Sequence, residues 1–160
     1  MKTILAPVDF SDATDAVVAE ATALARALHG RVVLFNVVKP PSIPAEYPPL
    51  LQDAAEIIAE GEKHAAQALA GLEAKICSDF VTAEHHHAVG APISLILEEA
   101  AQRKADYIVI GSHGHTALYE LLIGGTAQGV LKRAKCPVLI VPATKVKGRK
   151  SQRRRTVAAV

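Results

Sequence analysis

Residues 106–114 read Asp-Tyr-Ile-Val-Ile-Gly-Ser-His-Gly and residues 124–127 read Gly-Gly-Thr-Ala, and these two segments decide the fold. The first is an apolar run that ends in Gly111 and Gly114, and the second opens a helical pattern. Glycine lets the main chain turn sharply and approach a ligand closely. A helix N-terminus adds unpaired N–H groups and a partial positive charge. The strand, the glycine loop and the helix therefore predict a site suited to phosphate.

The composition predicts one domain with a layered aliphatic core. The chain has 160 residues, half of them hydrophobic, which is enough to bury a substantial core. Aromatic residues make up only 4% and tryptophan is absent. Such a core of Ala, Val, Ile and Leu fits layers of helix on sheet. It offers no aromatic platform for stacking single-stranded nucleic acid.

The two cysteines, Cys77 and Cys136, have neither the spacing of a metal site nor that of a redox motif. Two ordinary thiols of this kind favour a reducing compartment. The chain leads from Lys2 directly into a short strand, and no later segment is apolar enough over its length to span a bilayer. We therefore predict a cytoplasmic protein without a transmembrane segment.

Charge is distributed unevenly along the chain. Residues 145–155 carry seven of the eighteen Lys and Arg residues and no acid, which leaves eleven bases against sixteen acids elsewhere. A basic segment can bind nucleic acid or an anionic membrane through phosphates. This one lacks aromatic residues and amphipathic periodicity, so we expect residues 143–160 to form a flexible, solvated tail rather than such an interface.

Apolar runs typical of strands alternate with amphipathic patterns typical of helices. This alternation implies right-handed crossovers and a parallel α/β sheet with helices on both faces. Ser11 or Asp12 is the expected N-cap of the first helix, and the proline-rich residues 39–49 are an expected loop and candidate lid. The predicted strands are 3–8, 31–38, 80–89, 106–112 and 138–141, and the predicted helices are 12–29, 50–75, 92–103 and 124–133, with a short helical piece at 118–122.

Four motifs follow one another along residues 1–142: Ile4-Leu-Ala-Pro-Val-Asp-Phe-Ser11, Val89-Gly90-x-Pro92, Gly111-Ser-His-Gly114 and Cys136-Pro-Val-Leu-Ile-Val141-Pro142. In this order they resemble the universal stress protein family. The resemblance implies a single doubly wound, Rossmann-like domain over residues 1–142, with five strands in the order 3-2-1-4-5. It also implies a homodimer paired through the last strand, Val138–Val141, which would cover an otherwise exposed sheet edge.

The resemblance also implies an adenine nucleotide site. Family members that bind ATP carry Gly-x2-Gly-x9-Gly followed by Ser or Thr, and this chain keeps the spacing at Gly111, Gly114 and Gly124. ATP or a related nucleotide is the implied ligand, with Mg²⁺ bound through its phosphates. The implied site residues are Pro7, Val8, Asp9 and Val38 toward the base and sugar, and Gly111, Ser112, His113, Gly114, His115, Gly124, Gly125, Thr126 and Ala127 toward the sugar and phosphates.

Two residues depart from that family pattern. Gly125 replaces the Ser or Thr, and loss of one charge-assisted hydrogen bond to phosphate costs about 1.5–3 kcal/mol. Thr126 is the candidate to compensate, and it is also a candidate N-cap of the helix. His115 stands where Lys or Arg is common, so we expect nucleotide affinity to rise as the pH falls toward about six, unless His115 is a solvent-facing loop residue.

Other chemistries fit the sequence less well. His85 and His87 share one face of a predicted strand, but no carboxylate or cysteine is spaced to complete a metal site, so a solvated strand end is expected. Ser112 and His113 are adjacent, and neighbouring side chains on an extended strand diverge, which argues against a hydrolase triad. With only His115 to stabilise transferring charge, binding with little or no turnover is predicted rather than efficient ATP hydrolysis.

Two functions remain open from the sequence. In the first, the chain is a nucleotide-responsive regulatory homodimer of a stress-response type, with an unidentified protein partner and no enzymatic activity. In the second, the glycines only form tight turns, and the chain is a dimerisation or interaction module that binds no nucleotide. Neither the Gly-x4-Gly-Lys-Ser/Thr phosphate loop nor a Gly-x-Gly-x2-Gly after the first strand is present, so these two alternatives to the family's ATP site are excluded.

Overall fold

The computed structural model describes residues 1–41, 50–112 and 123–142, with the main chain alone for residues 50–53. The tail 143–160, most of the candidate lid and the short helical piece at 118–122 lie outside these residues. Nine elements follow in strict alternation: β1 (Thr3–Pro7), α1 (Thr14–Ala27), β2 (Arg31–Val38), α2 (Leu50–Ser78), β3 (Thr82–Val89), α3 (Pro92–Gln102), β4 (Tyr107–Gly111), α4 (Gly125–Leu131) and β5 (Val138–Val141).

All four strand pairings are parallel, and the order is β3-β2-β1-β4-β5. The predicted fold class and strand order are therefore confirmed. The central strand β1 is buried along its whole length, whereas β3, at one edge, is mostly half-buried. The long apolar runs of β1 and β2 are explained by this burial, because both faces of a central parallel strand are covered.

The sheet separates two apolar cores, one on each face. Alternate residues of β1 point to opposite sides, so Ile4 packs with α1 and α2 while Leu5 packs with α3 and α4. In the first core Val17 of α1 and Leu69 of α2 are almost fully buried, and in the second Ile96 of α3 plays the same part. The prediction of helices on both faces is confirmed. No helix in the described part of the chain is long and apolar enough to cross a membrane.

Two predicted element boundaries are wrong. Neither Ser11 nor Asp12 caps α1, because the N-cap is Ala13 and no side chain caps the helix there. The Ser11 N–H instead bonds Oδ1 of Asp9 at 3.1 Å, and the Thr14 N–H bonds the Ser11 carbonyl at 2.9 Å. Ser11 and Asp12, the predicted N-caps, therefore lie in a tight turn before the helix.

The strand predicted from residue 80 begins at Thr82 instead. Helix α2 continues to Ser78, beyond the predicted Lys75, and Phe80 then takes a left-handed conformation with φ 61°. A residue with positive φ ends a helix in the way a C-terminal glycine does. Phe80 is 99% exposed, so its aromatic side chain does not contribute to the core as its strand-like sequence suggested.

The three histidines of β3 are half-buried and paired, which corrects the expectation of a solvated strand end. His85 contacts the Glu73 carboxylate on α2, and His87 lies 3.8 Å from Glu62 on the same helix. His86 points to the other face, where the Arg103 guanidinium approaches its Nε2 at 2.7 Å. Among the described residues no group of three or more His, Cys, Asp or Glu side chains could hold a metal ion.

Candidate functional site

A cavity of about 360 Å³ opens at the carboxyl ends of β1, β2 and β4. The chain winds from β1 outward to β2 and β3, then returns to place β4 on the other side of β1. Ligands of open α/β sheets bind where the winding direction reverses in this way. The described lining residues that the sequence predicted are Pro7, Val8, Asp9, Gly111, Ser112, Gly124, Gly125, Thr126 and Ala127.

The end of β1 is held in place by main-chain and amide hydrogen bonds. The Val8 N–H bonds the Phe35 carbonyl at 2.9 Å, and the Val8 carbonyl accepts a 2.8 Å bond from Nδ2 of Asn36. Asn36 is only 6% exposed, so this bond satisfies a buried amide. Phe10, the next residue but one, has φ 59°. This bend leaves Asp9 exposed at the cavity, with its carboxylate bonded to the Ser11 N–H.

The two ends of the glycine loop are joined on the opposite wall. The Ser112 N–H bonds the Val141 carbonyl at 2.7 Å, and the Gly124 N–H bonds the Ser112 carbonyl at 2.6 Å. The loop therefore leaves β4 and returns to α4 at one point, beside the cavity. Three predicted site residues within it, His113, Gly114 and His115, lie outside the described residues.

Helix α4 begins two residues earlier than it would with Thr126 as its N-cap. Gly124 is the N-cap, with extended backbone angles and no side-chain cap, so the prediction of Thr126 as N-cap is wrong. The first intrahelical bond runs from the Gln128 N–H to the Gly124 carbonyl at 2.9 Å. The N–H groups of Gly125, Thr126 and Ala127 precede it and face no partner within the helix.

Gly125 has open space where a side chain would be. A Cβ built on Gly125 meets no atom of the described residues within 4 Å, so neither their packing nor backbone strain requires glycine at this position. Gly129, one turn further along α4, differs: its Cβ would lie 2.4 Å from Cδ1 of Ile93. That glycine lets α3 and α4 pack closely, whereas Gly125 removes a hydroxyl from the site without any structural need.

Sequence reasoning missed several lining residues, of which Lys39 and Thr14 are the most polar. Lys39 directly follows β2 and, with Asp9, supplies the charged side chains in the described lining. Its position after the last residue of a central strand was the available signal. Thr14, in the first turn of α1, is 9% exposed, and its hydroxyl has no hydrogen-bond partner among the described residues.

Val38 is not among the residues that line the cavity, although the resemblance placed it there. Its neighbours Val37 and Lys39 line the cavity instead. The Val38 carbonyl accepts a 3.0 Å hydrogen bond from the Gly90 N–H, which ties the end of β2 to the turn after β3. The end of β2 therefore contributes Val37 and Lys39 to the cavity, one on each side of the predicted Val38.

The described lining suits binding better than acid–base chemistry. Asp9 is its one carboxylate, and it contains neither histidine nor cysteine in the described residues. Apolar walls from Val17, Phe35 and Ile110 surround a few polar groups, which is the usual make-up of a small-molecule site.

Comparisons with known proteins agree with this architecture. The family model of the universal stress proteins matches residues 1–142. The universal stress protein MJ0531 of Methanocaldococcus jannaschii is 32% identical over 148 residues, which cover 90% of this chain and 84% of that protein. Among solved structures, the universal stress protein UspA of Lactobacillus plantarum has a TM-score of 0.79 at 25% identity, covering 88% of this chain and 97% of its own.

A second solved structure, of a universal stress protein in complex with cAMP, has a TM-score of 0.66 at 26% identity. It covers 89% of this chain and 98% of its own. The match of the family model over nearly the whole described body, joined to the observed strand order, carries the assignment. This chain belongs to the universal stress protein family.

Proposed function

We propose that the chain binds ATP or a related adenine nucleotide in the cavity at the carboxyl ends of β1, β2 and β4, with little or no turnover. The observation that carries this proposal is the meeting of Asp9 and Gly124–Ala127 around one apolar-walled cavity at the switch point of the sheet. A family member with the same fold is in complex with cAMP, an adenine nucleotide. The volume of about 360 Å³ lies within the range of small-molecule sites.

In this proposal each wall takes one part of the nucleotide. The adenine lies between the end of β2 and the apolar wall, and the Asp9 carboxylate accepts hydrogen bonds from sugar hydroxyls. The main-chain N–H groups of residues 125–127, at the start of α4, face the phosphates. Asp9 is the one described lining carboxylate, so Mg²⁺, which prefers oxygen ligands, would be held through the phosphates.

The same proposal makes the chain a cytoplasmic, nucleotide-responsive regulatory homodimer with an unidentified protein partner. Strand β5 has a free edge in the described sheet, and Leu139 on it is 42% exposed. Antiparallel pairing with a second copy would satisfy that edge and cover Leu139. If an ordered state of the loop binds nucleotide more tightly than the other states do, nucleotide shifts the population toward that ordered state. The surface that the protein exposes changes as a result. Only the first residues of the candidate lid, 39–41, are described.

A second candidate is a dimerisation module that binds no nucleotide. The observation in its favour is Gly125, because the missing hydroxyl is not imposed by packing. A chain that had lost nucleotide binding would be free to lose this hydroxyl. The edge pairing through β5 would then be the whole function of the domain.

Calorimetric titration with ATP, ADP, AMP and cAMP, between pH 6 and 8 with magnesium, separates the two candidates. We expect the wild-type chain to bind nucleotide. In Asp9→Ala the affinity should fall by up to about tenfold, because a charge-assisted hydrogen bond is lost. Asp12→Ala is the matched control, since Asp12 is exposed nearby and does not line the cavity. No heat and no thermal shift at millimolar nucleotide would favour the dimerisation module, and steady phosphate release would contradict binding without turnover.

A further inference from the structure

A second cavity, of about 480 Å³, lies at the opposite end of the sheet from the first. It runs between the carboxyl-terminal ends of α3 and α4, against β4. Its apolar lining includes Leu97, Ala100, Ile108 and Ala134, of which Ile108 is fully buried. We call this cavity the α3–α4 groove. It shares no lining residue with the nucleotide cavity, and no residue of β5 lines it.

The rim of the α3–α4 groove is basic. Lys104, Arg133 and Lys135 line it against a single acid, Glu98. All four side chains are exposed, and none has a hydrogen bond or ion pair with another residue of the described chain. Burial raises the pKa of the Cys136 thiol, which also lines the groove, so this cysteine stays neutral near pH 7. The groove thus combines an apolar interior with three unpaired cations at its mouth.

Backbone geometry does not account for a lysine at position 104. Lys104 has φ 50°, and the Ala105 N–H bonds the Ala100 carbonyl at 2.8 Å across the end of α3. Glycine is favoured at such a helix end. A helix C-terminus attracts cations, which explains part of the charge at Lys104 and Arg133. It does not explain Lys135, three residues beyond the C-cap Lys132, or the apolar groove between the cations.

The size and charge of the groove restrict its occupant. A volume of about 480 Å³ lies within the range of small-molecule sites. The tail of this chain carries seven bases in residues 145–155 and would be repelled by the basic rim. The fitting ligand is therefore small, with an apolar body and an anionic head.

We propose that the α3–α4 groove binds a fatty carboxylate. The hydrocarbon chain lies along Leu97, Ala100 and Ala134, and the carboxylate lies at the rim among Lys104, Arg133 and Lys135. Burial of methylene groups supplies most of the affinity. The three cations select an anionic head over a neutral or cationic one. This site is independent of the nucleotide cavity and stands whether or not the chain binds a nucleotide.

Calorimetric titration of the full chain with dodecanoate, below its micelle concentration, tests the proposal. Lys104→Gly removes one cation and relieves the positive φ, so this variant should fold at least as stably as the wild type. We expect its affinity for dodecanoate to fall about two- to fivefold, as for loss of one exposed charge. His29→Gly is the matched control, because His29 has the same φ of 50° at the end of α1, which packs on the other face of the sheet, and does not line the groove. Its affinity should equal that of the wild type.

Two further measurements locate the ligand and check its charge. In a Cys77→Ser background, dodecanoate should slow alkylation of Cys136, which lines the groove. Dodecyltrimethylammonium, with the same chain and a positive head, should bind at least tenfold more weakly. Equal binding of the two amphiphiles, equal affinity of Lys104→Gly and His29→Gly, or no protection of Cys136 would overturn the proposal. Binding of an acidic peptide without binding of dodecanoate would overturn it as well.

Discussion

The two ends of the β1–β2 pair differ in how tightly they are packed. At the amino end a Cβ on Gly30 would lie 2.5 Å from the Lys2 carbonyl oxygen, while at the carboxyl-end cavity a Cβ on Gly125 would meet nothing within 4 Å. The first glycine is required by the fold, and the second is not. Around Gly30, the amino end of β1 and β2 (the closed end) is thus closely packed and fixes the sheet, whereas Gly125 at the carboxyl-end cavity (the open end) can be replaced without a clash with the described residues.

Breaking the closed end should have the largest effect on stability. In Gly30→Ala the new methyl group would also lie 2.8 Å from Cδ1 of Ile4, so β1 and the turn before β2 must move apart. We expect the free energy of unfolding to fall by about 2–3 kcal/mol, as for an overpacked core. Urea denaturation followed by circular dichroism measures this change.

The matched control is Gly71→Ala, in the interior of α2, where the added Cβ meets nothing within 4 Å. Alanine favours a helix over glycine, so this variant should gain about 0.5–1 kcal/mol. If both variants lose the same stability, the close contact at Gly30 is not what closes the amino end.

The core of this fold could be predicted from the sequence because burial leaves a strong pattern. The apolar runs of β1, β2, β4 and β5 and the helical spacing of α3 follow from which faces are covered. Their ends were less predictable. Ser11 and Thr126 both suit an N-cap, but the N-caps are Ala13 and Gly124. Ser11 instead lies in a turn, where its N–H bonds the Asp9 carboxylate.

Residues that meet only through tertiary packing could not be predicted from one sequence. His85 and Glu73 are twelve residues apart and meet because α2 crosses β3. Lys39 was read as the start of a proline-rich loop, and only the position of β2 beside β1 brings it to the cavity. Of the ten predicted site residues that the structure describes, nine line the cavity, because strand ends are visible in the sequence and a parallel sheet collects them at one edge.

Restoring a hydroxyl at the open end should sharpen nucleotide binding. In Gly125→Ser the side chain enters free space at the start of α4, where it can bond a phosphate oxygen. We expect ATP affinity to rise about ten- to a hundredfold, corresponding to a bond of about 1.5–3 kcal/mol. Calorimetric titration measures the affinity directly.

Gly125→Ala separates the hydroxyl from the added carbon. This variant adds the same Cβ without a hydroxyl and raises the helix propensity by more than serine does, so its ATP affinity should stay within about twofold of the wild type. A similar rise in both variants would show that helix order, not a hydrogen bond to phosphate, limits binding.

The described sheet is also open along one side, at the edge of β5. Leu139→Lys places a charge on the edge that the proposed homodimer would cover, so we expect dimer affinity to fall about tenfold or more. Leu131→Lys is the matched control, because Leu131 is 46% exposed on α4 and away from β5. Sedimentation at several concentrations measures both. A dimer that persists unchanged in Leu139→Lys would exclude pairing through this edge.

The closed end also has a small electrostatic component, centred on Asp106. Its carboxylate accepts a 2.7 Å bond from the Lys2 ammonium and a 2.8 Å bond from the Thr3 N–H, and these bonds hold the pKa of Asp106 below its ordinary value of 3.8. When the pKa of a carboxyl is lower in the folded than in the unfolded chain, its contribution to stability is complete at a pH above the unfolded-state pKa. The contribution is lost as the pH falls through the folded-state pKa.

Asp106→Asn removes the charge and keeps an oxygen for the Thr3 N–H, so we expect it to be less stable than the wild type at pH 6. This loss of stability should be smaller than that of Gly30→Ala. The gap should close as the pH falls below 3.8, because the wild-type carboxylate then becomes protonated. The pKa of Lys2 is raised by the same contact, so the gap should also close as the pH rises above that raised value. Thermal unfolding of both proteins across pH 2.5–7 measures the acid limb. A constant gap across that range would mean that Asp106 acts through its shape, and the amino end would then be closed by packing alone.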